Sequence, residues 1–104
     1  MCGIFGITRK SEFHEIDISG STLLCHRGPD NEGNWENDDV KLEHSRLAII
    51  DLTDAGNQPF ELEQGKVLVF NGEIYNFQEL RKNWYDENQP WKSHSDTEVL
   101  YRGL

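Results

Sequence analysis

Cys2 is the residue whose type and position most directly suggest chemistry. Once an aminopeptidase removes Met1, the α-amine of Cys2 lies within reach of its own thiol. That amine has a reference pKa of about 8 and can take the thiol proton at neutral pH. Nucleophile and base then share one residue. The following glycine, Gly3, lets another group approach the backbone closely. Position alone leaves a second reading open, an inert buried thiol in an N-terminal strand. A thiol–imidazole dyad between Cys2 and His26 is also chemically conceivable, and ranks below the α-amine. A metal site is not expected. Cys2 and Cys25 do not form a CxxC pair, and His26, His44 and His94 do not fall into a familiar zinc spacing.

Composition narrows the partners. The chain has 104 residues, of which 36% are hydrophobic, enough for one small domain with a modest core. Nineteen acidic side chains face ten basic ones, a net charge of -9. That balance argues against nucleic acid or an anionic membrane as partner. No apolar run is long enough to span a bilayer. "MCGIFGITRK" has neither the basic start nor the apolar length of a signal peptide. A cytoplasmic protein with free thiols is the expectation.

Elements must position these groups. "CGIFGI" reads as a first strand, over residues 2–7. Residues 11–25 are ambiguous, with helical spacing broken by Ser19, Gly20 and Ser21. "HRGPDNEGNW" is a loop in which Arg27 and Asp30 could pair across a rigid turn. "VKLEHSRLAIIDL" reads as one or two strands, with the central one over 42–51, and "DAGNQPF" is a turn. "KVLVFNGEIYN", over 66–75, is the strongest strand signal, and its Asn71-Gly72 suggests a tight hairpin or a kinked strand. Asn76 with Glu79, and Ser95 with Glu98, are spaced as capping boxes for two helices. The second helix runs to the last residue, so the chain reads as cut. His14, His44 and His94 read as surface or packing residues. Trp35, Trp84, Trp91 and the phenylalanines read as core.

The blocks "MCGIFGI", "HRGPD", "RLAIIDL", "AGNQPF", "FNGEIYN", "ELR" and "SDTEVL" occur in this order over nearly the whole chain. Together they resemble the class II glutamine amidotransferase domain of asparagine synthetases, a family of N-terminal-nucleophile hydrolases. The resemblance implies an α+β fold, the first half of an αββα sandwich with mostly antiparallel sheets. It implies that residues 1–104 are the truncated first half of that domain.

It also implies roles. Cys2 matches the nucleophile that attacks the side-chain amide of L-glutamine, leaving a γ-glutamyl thioester that water hydrolyses. Asn71 and Gly72 match an oxyanion hole, through a side-chain amide and a backbone N–H, which is the device acyl transfer requires. Arg46 resembles the clamp on the glutamine α-carboxylate, suited by its planar fork. Glu73 and Asp96 resemble the residues that hold the α-ammonium. An acid at position 96 would also favour the macrodipole of a helix first turn. Leu47, Ala48, Ile49 and Ile50 match the pocket wall, mainly through backbone groups.

The segment before "HRGPD" looks shorter and poorer in helix than in relatives. No Gly-rich phosphate loop occurs in the chain. The resemblance therefore places ATP and Mg in a synthetase domain absent here, leaves this chain without a cofactor, and admits a homodimer of the full-length protein. The ammonia acceptor, whether aspartate, a sugar or a peptide, lies outside what these residues encode. A third reading is a truncated remnant that binds glutamine or a partner protein without turnover. The intact Cys2, Arg46, Asn71, Gly72 and Asp96 argue against decay of the site, and the truncation argues for inactivity of this chain.

Overall fold

The computed structural model describes residues 2–8 and 23–104. The described residues form an α+β arrangement that includes two antiparallel sheets, two short α-helices and two single 3-10 turns. Strand β1 spans Gly3–Thr8, β2 Asn31–Glu36 and β3 Val40–Arg46. They form one sheet with β3 in the centre. Gly3 lies opposite Ser45 and Thr8 opposite Val40, while Asn31 lies opposite Arg46 and Glu36 opposite Lys41. The turn from β2 to β3 is made by Asn37, whose Oδ1 accepts from the N–H groups of Asp39 (2.9 Å) and Val40 (2.8 Å). Asparagine favours this turn because its side chain imitates a backbone carbonyl. Along β2 inward and outward residues alternate strictly, as a half-covered strand requires.

The second sheet is a hairpin of β4 (Phe60–Glu63) and β5 (Lys66–Leu68). Helix α1 spans Phe77–Asn83 and α2 spans Asp96–Gly103. Tyr101, on α2, closes the hairpin. Its hydroxyl accepts from the N–H groups of Leu62 and Glu63 and donates to the Lys66 carbonyl at 2.9 Å. Its ring meets Phe60 edge to face, with centroids 5.3 Å apart.

The interior is unusually polar. Among the described residues the buried hydrophobics are Phe60, Val99 and Tyr101, whereas Glu43 to Arg46, Asp51, Gln58 and Ser95 to Glu98 are all buried. Buried polar groups are tolerated where hydrogen bonds replace water. Glu98 is the clearest case. Its carboxylate accepts from the Lys92 and Ser93 N–H groups, the Ser93 hydroxyl and the Arg102 guanidinium. Burial pushes its pKa up, but these donors outweigh burial and hold it below the ordinary value.

Several expectations from sequence need correction. The strand expected over 66–75 ends at Leu68. Asn71 and Gly72 lie in irregular backbone rather than a hairpin turn, because a side chain rather than a neighbouring strand pairs with Phe70. The strand expected over 42–51 runs instead from Val40 to Arg46. Its end is fixed where the Asp30 N–H takes the Arg46 carbonyl at 2.9 Å.

Asn76 makes no side-chain cap on α1. Ser95 does cap α2, accepting from the Glu98 N–H at 3.4 Å. The reciprocal half of that box is missing because the Glu98 carboxylate turns to Lys92 and Ser93. Arg27 and Asp30 do not pair. Arg27 donates to the Cys2 carbonyl and Asp30 accepts from the Ala48 N–H. Trp84 is 48% exposed, and Trp35 and Trp91 are half-buried, so the tryptophans are not the core. Phe60 is buried, but Phe5, Phe70 and Phe77 are half-buried. His44 is buried, a packing residue, while His26 and His94 are exposed. The ambiguous stretch up to residue 22, with Phe13 and His14, lies outside the described residues. No described helix is long and apolar enough to cross a membrane.

Candidate active site

The start of β1 delivers Cys2 to the end of β3, because the two strands are antiparallel and Gly3 sits opposite Ser45. The Cys2 side chain is a free thiol. The Leu47 N–H donates to its Sγ at 3.4 Å, and the Leu47 carbonyl lies 3.7 Å away. A backbone donor at this distance stabilises negative charge on sulfur. Arg27 fixes the same residue from behind, its Nε donating to the Cys2 carbonyl at 3.3 Å.

Arg46, the last residue of β3, is 7% exposed. Its Nη1 donates to the Thr53 carbonyl and to Asn57 Oδ1, each at 2.7 Å. These bonds occupy one nitrogen and hold the guanidinium at the wall of the cleft. Gly56 packs against Nη2 so closely that a Cβ there would overlap it. Asp51 anchors the loop that carries this arrangement. One oxygen accepts from the Thr53 N–H and hydroxyl, the other from the His94 N–H at 2.7 Å. Burial works to raise the Asp51 pKa, but these donors, with Arg46, lower it on balance.

The far wall comes from the N-terminus of α2. Asp96 is buried there and accepts from the Ile74 N–H at 3.0 Å through Oδ2. The cleft so formed brings together Cys2, Arg46, Leu47, Ile49 and Ile50 from one side with Gly72, Glu73 and Asp96 from the other. Its free space is about 80 Å³. Two of the residues expected from sequence are not on the wall. Ala48 is half-buried and donates instead to Asp30, and the exposed Asn71 lies beside the cleft next to Gly72.

Sequence reasoning missed Asp51, Gly56, Gln58, Ser95 and Thr97, which also line it. In the sequence, Gln58 looks like ordinary turn chemistry before Pro59. The spacing of Asp51 and Thr53 was the one available hint, since Asp with Thr two residues on can build a local side-chain turn. Among the described residues, no cluster of three or more His, Cys, Asp or Glu could hold a metal ion.

A half-buried free thiol on the cleft wall, a backbone donor beside the sulfur, a guanidinium and a buried carboxylate lining the same cleft suit a zwitterionic substrate carrying an electrophilic carbon. The chain belongs to the glutamine amidotransferase domain family, whose model matches residues 1–104. Asparagine synthetase B [glutamine-hydrolyzing] of Escherichia coli K12 is 41% identical over 105 residues, covering 96% of this chain and 19% of its own length. A putative asparagine synthetase [glutamine-hydrolyzing] of Methanocaldococcus jannaschii is 36% identical, covering 98% of this chain and 23% of its own. Amidase chry2 of Gibberella zeae is 44% identical over 94 residues, which are 88% of this chain and 14% of that protein. The chain thus spans about a fifth of the length of the curated relatives it matches.

Proposed function

We propose that this chain is the glutamine-hydrolysing part of an asparagine synthetase, built on the N-terminal-nucleophile αββα plan. The observation that carries the reading is the cleft in which Cys2 Sγ, receiving the Leu47 N–H, faces Arg46 and Asp96. Arg46 takes the α-carboxylate of L-glutamine through the guanidinium edge not engaged by Thr53 and Asn57. Asp96, with Glu73, takes the α-ammonium. The side-chain amide carbon then lies toward Cys2.

The α-amine of Cys2, free once Met1 is gone, takes the thiol proton. The thiolate attacks the amide carbon, and the oxyanion that forms is held by the Gly72 N–H and the Asn71 side-chain amide. The ammonium of Cys2 returns its proton to the leaving nitrogen, the C–N bond breaks, and ammonia departs. Water adds to the thioester, releasing glutamate and restoring the thiol. In the whole protein, ammonia would pass to a synthetase domain that would use ATP and Mg to amidate aspartate. The 44% identity to an amidase favours keeping a second reading, the same glutaminase chemistry feeding another acceptor. Assaying the full-length protein for glutamine-dependent asparagine formation separates the two.

Two expected outcomes test the glutaminase reading itself. Blocking Met1 removal, by acetylating or extending the N-terminus, should suppress glutamine hydrolysis as severely as losing the thiol. A homogeneous Met1-retaining protein that hydrolyses glutamine at the processed rate contradicts the amine's role. Gly56→Ala should push the guanidinium of Arg46 out of place, because that guanidinium is buried and pinned by Thr53 and Asn57. A charge-assisted hydrogen bond is worth about 1.5–3 kcal/mol, so KM for glutamine should rise roughly 10- to 100-fold with kcat less affected. An unchanged KM in steady-state kinetics contradicts the clamp.

A further inference from the structure

We propose that Gln58 is a positioning residue for this chemistry, the strut that sets the oxyanion-binding segment against the N-terminus of α2. The proposal rests on the glutaminase reading above. Gln58 is 6% exposed and every polar atom of its side chain is engaged. Its Oε1 accepts from the Phe70 N–H at 2.6 Å. Its Nε2 donates to the Phe70 carbonyl at 3.2 Å and to Thr97 Oγ1 at 3.1 Å.

The side-chain amide therefore does for Phe70 what a neighbouring strand does elsewhere, satisfying its donor and its acceptor together. It is needed because β5 stops at Leu68 and leaves residues 69–75 without a ladder partner. Phe70 in turn abuts Gly72, its ring so close that a Cβ on Gly72 would lie 2.9 Å from it. The far end of the segment and the strut itself are both tied to α2. Asp96 takes the Ile74 N–H, and Thr97 beside Asp96 takes Gln58. One network thus fixes the distance between Gly72 and Asp96.

Gln58 cannot shift to accommodate a change. Its own carbonyl packs on Gly33 of β2, where any Cβ would overlap it. Gln58 therefore ties the sheet that positions Cys2 to the loop that carries Gly72. A donor displaced by about 1 Å can cost a rate on the order of a hundredfold.

The test is Gln58→Leu in the full-length protein, which keeps approximate size and removes all three bonds. Glutaminase kcat should fall roughly 30- to 100-fold, while KM for glutamine moves less than about threefold, because the Arg46 clamp does not involve Gln58. Alkylation of Cys2 by iodoacetamide should keep its parental rate, which a general loosening of the fold would not leave intact. If Gln58→Leu does not fold, Thr97→Val, which removes only the bond to α2, is read instead. It should lower kcat about three- to tenfold at nearly constant KM. A folded variant with kcat within about twofold of the parent, or a KM rise at constant kcat, overturns the proposal. Failure of the glutaminase reading would look different, since the parent itself would then hydrolyse no glutamine or do so without Cys2.

Discussion

Cys2→Ala should abolish glutamine hydrolysis, with a loss of at least about a thousandfold, while ammonia-dependent synthesis by the full-length protein persists. The asymmetry follows from chemistry. Removing the sulfur removes the only atom that can form the thioester, and the oxyanion donors cannot substitute for a missing nucleophile. The fold should tolerate the change. Cys2 is half-buried at the start of β1, and the bonds its sulfur makes are the weak ones to the Leu47 backbone. Ammonia enters after the step that Cys2 performs, so supplying it directly bypasses the lesion. Paired assays with glutamine and with ammonium chloride check this. Equal loss with both nitrogen sources would place Cys2 in the structure rather than in the reaction.

Acid should destabilise the domain earlier than its carboxylates alone would. His44, on β3, is 1% exposed, and among the described residues neither ring nitrogen makes a well-formed hydrogen bond. Burial lowers its pKa from 6.5 to about 4; Arg46 adds to the shift, and the Phe70 backbone opposes it. The folded protein thus keeps a neutral imidazole while the unfolded chain takes up a proton below 6.5. Where the unfolded state binds more protons, stability falls as pH falls. The loss accumulates from pH 6.5 down to about 4, and at 1.36 kcal/mol per pKa unit it amounts to about 3 kcal/mol. Glu98 adds a further loss at lower pH, as its depressed pKa is crossed. Urea midpoints between pH 7 and 4.5 measure the slope. His44→Leu should flatten it, and an identical slope in both proteins contradicts the assignment.

Two strands of the central sheet, β1 and β3, carry their own signals, whereas β2 (Asn31–Glu36) falls largely in "HRGPDNEGNW", whose Gly, Asn and Asp content reads as a loop because only pairing to β3 makes it a strand. β1 is a short apolar, β-branched run, and β3 is the strand whose neighbours Asn37 and Asp30 mark its two ends. Ser95 was legible as a cap because capping is local, whereas Asn76 shows the same spacing without the bond. The stretch 69–75 misled because its apolar, aromatic content suits a strand, yet its partner is the Gln58 side chain, twelve residues away. No periodicity encodes such a contact.

The site divides in the same way. The blocks of sequence suggested Cys2, Arg46, Gly72 and Asp96 as candidates, and the fold brings them to one cleft. The buried polar residues that hold them, Asp51, Gln58 and Thr97, read in sequence as the end of a strand, a turn residue and a helix first-turn residue, none of them marked as interior. They are interior here because hydrogen bonds, not apolar contacts, fill the space behind the cleft.

The most direct test of the central claim is covalent labelling with a diazoketone analogue of L-glutamine. A thiolate positioned for the amide carbon attacks the carbon bearing the diazo group, which takes up a proton and loses nitrogen gas, leaving a stable thioether. Peptide mass spectrometry of the treated full-length protein should show one adduct per chain, on a peptide beginning at Cys2. Excess glutamine should protect it, and the exposed Cys25 should stay unmodified. Labelling of Cys25 in place of Cys2, or labelling of Cys2 that glutamine does not slow, would contradict the account.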